Sequence, residues 1–195
     1  MLTILAQVSA YIIVGIYMVL MVEGKYQVPF WRAIRWNWPQ GAAWKLLGLG
    51  VLTVSLDFLS HYLPMPKNTP FDAFFTRPRD AYLTVIFAVS LAPLMEEVFF
   101  RGFLYPLLAR RMGVVWGVLL TALPFGLIHY VTYQAWSPVI VVTMVGLVFT
   151  VVRVATKSVA ASFLVHAGYN GTLMLIAGLA TDGFRHMERA SMILK

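Results

Sequence analysis

Residues 112–152 read MGVVWGVLLTALPFGLIHYVTYQAWSPVIVVTMVGLVFTVV, 41 residues between Arg111 and Arg153 with no Asp, Glu, Lys or Arg. A helix that crosses a bilayer needs about 20 mostly apolar residues. This run is therefore long enough for two spans, joined near Gln134 to Pro138, where polar and proline residues gather. Working outward, Ser158 to Ala180 supplies another span. Ala81 opens one that passes through Pro93 and continues to Ala109. Leu46 to Leu63 is a shorter one that carries Asp57 and His61, and Leu2 to Val22 is free of acidic and basic side chains. The count is six. The pattern predicts an all-α fold, a polytopic transmembrane helix bundle of about six spans, organised as a single membrane domain over residues 1–195.

Composition agrees. Hydrophobic residues make up 60% of the 195 and charged residues only 12%, and the mean hydropathy is +0.77. A water-soluble domain carries about 25% charged residues, so this chain has too little polar surface for water. With no cysteine, it excludes a disulfide scaffold and thiol catalysis. The net charge of +7 fits basic loops facing anionic headgroups better than nucleic acid, and no nucleic-acid partner is expected. Leu2 to Val22 lacks the basic start and small-residue cleavage site of a signal peptide, and reads as a retained span. Residues 23–45 interleave Trp31, Trp36, Trp38 and Trp44 with Lys25, Arg32, Arg35 and Lys45, the make-up of an interfacial segment. With the amino terminus outside, the cytoplasmic loops hold Lys25, Arg32, Arg35, Lys45, Arg110, Arg111, Arg153 and Lys157. Lys67, Arg77, Arg79, Arg185, Arg189 and Lys195 then lie outside. That slight excess inside predicts both termini outside.

A few polar groups break the apolar pattern. An ionisable side chain within the membrane costs at least about 2.5–3.5 kcal/mol on insertion scales and usually marks function. The third span holds Glu96-Glu97-Val98-Phe99-Phe100-Arg101. On a helix Glu97 and Arg101 are four apart and can pair. Glu96, rotated by about 100°, is left available as a general base. The same three residues would also serve as a buried ion cluster that only locks helices. Phe125 and His129 share a face, so the ring can wall the imidazole, although a lone histidine in an apolar helix is often structural. His166 and Asn170 also share a face, with Ala167 and Gly168 between them allowing a neighbour to approach closely. Alone, that pair reads equally well as interhelical hydrogen-bond glue. At 1.5 Å per residue, Glu96 and His129 come to about 20 and 22 Å from the cytoplasmic side if the third span runs on to Ala109.

Taken in order, Glu-Glu-x-x-x-Arg, Phe-x-x-x-His and His-x-x-x-Asn on three hydrophobic segments resemble the CPBP (ABI) family of intramembrane endopeptidases, related to the Ras-converting CAAX prenyl endopeptidases. The resemblance covers roughly residues 81–180, which it marks as a CPBP-like catalytic core. It implies a helix bundle with an intramembrane cavity. It implies catalytic roles for Glu96 and His129, which would activate a water, and for His166 and Asn170, which would stabilise the oxyanion. Glu97, Arg101 and Phe125 would support them. These residue types suit the roles, since a carboxylate and an imidazole accept protons and an imidazole and a carboxamide donate to an oxyanion. Ser162 has no motif around it and is not taken as a nucleophile.

The resemblance leaves metal use open. Glu96, His129 and His166 would be the ligands if zinc were bound, but the His-Glu-x-x-His signature of helix-borne zinc sites is absent, so no cofactor is the favoured reading. The expected partner is a membrane-associated peptide or protein substrate within the lipid bilayer, cleaved by an integral membrane enzyme of a bacterial or archaeal cell membrane. The alternative is a non-proteolytic immunity or scaffold protein that binds a peptide or a partner membrane protein.

Overall fold

A computed structural model describes residues 2–64, 66 and 69–186. Lys67, Arg189 and Lys195, used above in weighing orientation, lie outside the described residues. Among the described residues there are helices and no strands. In chain order the α-helices are α1 (Leu2–Tyr26), α2 (Phe30–Ala33), α3 (Ala43–Thr53), α4 (Pro78–Val89), α5 (Leu91–Glu97), α6 (Tyr105–Met112), α7 (Val114–Ile128), α8 (Tyr130–Tyr133), α9 (Trp136–Thr156) and α10 (Val159–Ala180). Tighter 3-10 turns follow α3 (Val54–Tyr62) and precede α4 (Pro70–Phe75).

Six segments are long and apolar enough to cross a membrane: Ile4–Tyr26, Ala43–Ser60, Pro78–Met112, Val114–Tyr133, Trp136–Thr156 and Val159–Ala180. The charge-free run from 112 to 152 divides where the sequence suggests, at Gln134, whose φ of 48° turns the chain. The third span is not one helix. It breaks at Ser90, between α4 and α5. Pro93 gives the reason: its ring lacks the N–H that would bond the Val89 carbonyl, and it crowds that turn. Beyond Glu97 the chain widens into a π-helix over Val98–Leu104 before α6 resumes the α-helical turn.

The core lies between α7, α9 and α10, where Phe100, Phe125, Val145, Phe149, Val165 and Tyr169 are buried together. α3 meets α10 backbone to backbone. A Cβ on Gly168 would lie 2.6 Å from the Leu47 carbonyl oxygen, and one on Gly50 would lie 2.7 Å from the Tyr169 nitrogen, so neither position admits a side chain. In a bilayer, close backbone contact of this kind replaces the hydrophobic effect as the force joining helices. α1 is different. Its lower part buries Met18 and Val22 against Phe30, Ile34 and Val98, while Leu5, Ile12, Ile13, Ile16 and Tyr17 lie exposed.

Residues 23–45 cap one end of the bundle. Trp31, Trp38 and Trp44 are exposed and Trp36 is half-buried. The segment is tied to the start of α10: the Val159 amide donates to the Arg35 carbonyl at 3.1 Å and the Ser158 hydroxyl to that of Asn37. Arg153 differs from the loop placement expected of it. It lies in the last turn of α9, 4% exposed, and its Nε donates to the Arg101 carbonyl at 3.2 Å. That carbonyl belongs to the π-helical stretch, where a carbonyl accepts from the amide five residues on; for Arg101 that residue is Pro106, which has no N–H to give.

Candidate active site

Glu97 and Arg101 form the buried floor of the site, both without exposed surface. Their i, i+4 spacing survives the change of helix type, and Arg101 Nη1 donates to Glu97 Oε1 at 2.8 Å. The rest of the guanidinium is also engaged. Nη2 donates to the Gly146 carbonyl at 2.8 Å, Nε to Thr150 Oγ1 at 3.2 Å, and the Phe125 ring covers it at 4.2 Å. Gly146 makes this cover fit, because a Cβ there would lie 2.6 Å from Phe125 Cδ1. Burying a charge without partners costs several kcal/mol, and these contacts are what offset that cost here.

Glu97 has two further partners, both from α10. The Ser162 hydroxyl donates to its Oε2 and also lies 2.9 Å from the Phe149 carbonyl. With its hydrogen taken up by a buried carboxylate, Ser162 is part of the floor. His166 Nδ1 lies 3.0 Å from Glu97 Oε1. A carboxylate already receiving Arg101 accepts and does not donate, so Nδ1 carries the hydrogen. The other nitrogen, Nε2, then faces upward and lies 3.8 Å from Glu96 Oε2. His166 therefore stands between the two glutamates, a link the sequence spacing does not reveal. Its ring stacks on Phe149 with centroids 4.4 Å apart.

Glu96 is the less enclosed carboxylate, its side chain 12% exposed. It forms no ion pair with Arg101, in keeping with its rotation away from Glu97. Its Oε1 accepts a hydrogen bond from the Tyr11 hydroxyl on α1 at 3.2 Å.

His129 closes α7, and its Nδ1 lies 2.8 Å from the Phe125 carbonyl. A carbonyl only accepts, so Nδ1 again bears the hydrogen and Nε2 presents a bare lone pair. Phe125 touches both imidazoles, with centroids 5.2 Å from His129 and 5.8 Å from His166. No ion pair or hydrogen bond joins His129 directly to Glu96; the shared phenyl ring is what brings His129 to the cluster. Asn170 Nδ2 donates to the Ala88 carbonyl of α4 at 2.8 Å. A carboxamide nitrogen has two hydrogens, so one N–H remains.

Glu96, Glu97, Arg101 and His166 are thus in one contiguous network, His129 joins it through Phe125, and Asn170 sits one turn beyond His166. Tyr11, Gly146, Thr150 and Ser162 are partners that no motif marks; of these only Tyr11 carries a sequence signal, as a phenol inside the first span. As a zinc set the donors do not fit. Each histidine keeps Nε2 for a ligand, but among the described residues no three His, Cys, Asp or Glu side chains converge as metal ligands.

The model of the family described as type II CAAX prenyl endopeptidase Rce1-like matches residues 78–172, just under half of the chain. That stretch contains all three motifs and stops two residues after Asn170. No curated protein and no solved structure matches.

Proposed function

From the match of residues 78–172 to the family of CAAX-type intramembrane proteases, we propose that the chain is such a protease and that Glu96 and His129 activate the water that attacks a peptide carbonyl. The observation that supports this most is the difference between the two glutamates. Glu97 is saturated by Arg101, Ser162 and His166, while Glu96 keeps Oε2 free of any hydrogen bond within 3.5 Å and stays partly accessible. One carboxylate holds the fold together and the other has capacity for a water proton.

The derived tautomers give each imidazole a role. His129 Nε2, a bare lone pair, serves as second acceptor for the attacking water. A neutral His166, with its hydrogen on Nδ1, has none on Nε2. It becomes an oxyanion donor only when Nε2 is protonated, and Glu97 beneath Nδ1 is placed to hold that cation, as a buried carboxylate does under the histidine of a hydrolytic triad. Glu96 Oε2, 3.8 Å from Nε2, is the nearest source of that proton once it has accepted one from water. Asn170 contributes its second N–H to the oxyanion. The proton then leaves with the amine product. Every step is carried by side chains of this chain, and the reading is metal-independent.

The substrate on this reading is a membrane-associated peptide or protein. The short connections and absence of cysteine favour the cell membrane of a bacterium or archaeon as its setting. The test compares membrane-peptide fragments from cells expressing wild-type protein or Glu96→Gln, then repeats the cleavage with purified protein, a chelator and metal add-back. Loss of fragments with Glu96→Gln, by about 10²–10⁴-fold in rate, and indifference to chelator are expected. An unchanged fragment pattern in Glu96→Gln and His129→Ala would instead identify a binder or scaffold.

A further inference from the structure

Beyond the matched segment, one side chain reaches the candidate base: Tyr11, on α1. Few residues of this helix are buried, and Leu5, Ile12, Ile13 and Ile16 are among those exposed along its upper part. Ser9 there turns its hydroxyl back to the Leu5 carbonyl, while Gln7 and Tyr11, one turn apart, meet each other. Gln7 Nε2 donates to the Tyr11 hydroxyl oxygen at 3.0 Å, and the Tyr11 hydroxyl lies 3.2 Å from Glu96 Oε1. The direction of the chain follows from its donors. A carboxamide N–H fills an acceptor site on the phenol oxygen, and a carboxylate only accepts, so the phenol hydrogen points at Glu96. The ring is fixed as well, stacked on Phe87 of α4 with centroids 6.0 Å apart and planes 13° from parallel.

We infer that Tyr11 is a positioning residue for Glu96, oriented in turn by Gln7, so that the first span completes a site whose remaining members lie within residues 78–172. This rests on the reading of Glu96 as the base that activates water. The chemistry needs such a group. A carboxylate with one oxygen held in a charge-assisted hydrogen bond has its plane fixed, and the other oxygen is then aimed at a single place. Here that oxygen is Oε2, on the side where His166 Nε2 stands 3.8 Å away. Without Tyr11, Glu96 has no hydrogen-bond partner among the described residues, and its terminal torsion is broad. The wall beside it is an apolar cleft of about 370 Å³ between α1 and α5, lined by Ile12, Gly15, Ile16, Leu91 and Met95 among others, which offers no substitute donor.

The test uses the full-length protein in detergent micelles. Tyr11→Phe keeps the ring on Phe87 and removes only the hydroxyl; Gln7→Leu changes an exposed position. With carbon-13-labelled glutamate, infrared spectroscopy isolates the Glu96 band as the one absent from Glu96→Gln. That band is expected to shift in Tyr11→Phe and, by less, in Gln7→Leu. Hydrolysis of an internally quenched prenylated peptide is the second readout. Tyr11→Phe is expected to lower kcat about tenfold with KM unchanged, a change of about 1.4 kcal/mol in barrier. Gln7→Leu acts in the same direction, and the double variant is no worse than Tyr11→Phe alone, because both act through one hydrogen bond. A Glu96 band unmoved in Tyr11→Phe overturns the inference, as does a change confined to KM or strict additivity of the two variants. Full activity in Glu96→Gln overturns the underlying reading instead, whatever Tyr11→Phe does. An unhydrolysed peptide leaves the infrared comparison to decide the role of Tyr11.

Discussion

Arg101 shows how tightly single side chains are specified here. Its guanidinium meets Glu97, Thr150 and the Gly146 carbonyl at once, under the face of Phe125. A lysine ammonium is a point charge with neither the planar fork nor the stacking surface. Arg101→Lys should therefore fail to restore what Arg101→Ala loses. The alanine variant leaves Glu97 as a buried charge lacking its main partner, a loss of about 3–5 kcal/mol that a denaturant titration in detergent would measure. Asp57 is the opposite case. Its Oδ1 accepts from Tyr169 at 3.1 Å, while Oδ2 is buried without a partner. Asp57→Asn keeps an oxygen for Tyr169 and removes the charge, but sets an amide with two hydrogens where Oδ2 has no partner, so stability should stay within about 1 kcal/mol with unchanged peptide hydrolysis; a fall in hydrolysis at full stability would give Asp57 a part in the reaction. At this scale the motifs find the acids, imidazoles and carboxamide, because those residue types are rare in an apolar chain. They miss that His166 bonds Glu97 and lies between both glutamates, because contacts across separate helices leave no spacing to read.

At the scale of elements, hydropathy finds the six spans within a few residues of their ends, since length and apolarity are all that a crossing requires. It misses how the third span is built. Pro93 signals a disturbance, but whether it bends, breaks or ends a helix depends on what surrounds it. The widened turn at Val98–Leu104 has no signature in composition; with Pro106 five residues on and without an N–H, it leaves the Arg101 carbonyl to Arg153, which is why a residue read as belonging to a loop is buried. Ala167 and Gly168, in contrast, announce close approach, and Gly168 meets α3. Gly168→Leu should push α3 from α10, because even a Cβ would lie 2.6 Å from the Leu47 carbonyl oxygen. Overpacking costs about 1–3 kcal/mol in well-filled cores, and contact with rigid backbone puts this position at the upper end. The readout is a lowered unfolding midpoint in detergent, with Gly48→Leu as the control, since nothing lies within 4 Å of a Cβ there.

Across the whole molecule, the network under the site draws on Tyr11 from the first span, Glu96 to Arg101 from the third, Gly146 and Thr150 from the fifth, and Ser162 and His166 from the sixth. A membrane protein of this kind is threaded into lipid in order as it is synthesised, so the third span meets the bilayer before the fifth and sixth exist. Glu97 then has neither Ser162 nor His166, but it does have Arg101, four residues further along its own helix. The pair is the one part of the network that needs no later segment, and it lets two opposite charges enter together as a near-neutral unit. Reporter-site glycosylation of chains truncated after residue 112 would measure this. Arg101→Leu should lower the fraction of third spans that insert, despite making the segment more hydrophobic, and Glu97→Gln added to it should restore that fraction. The salt bridge beneath the site is, on this account, also a device for biogenesis, carrying an acid into the membrane ahead of the helices that give it work.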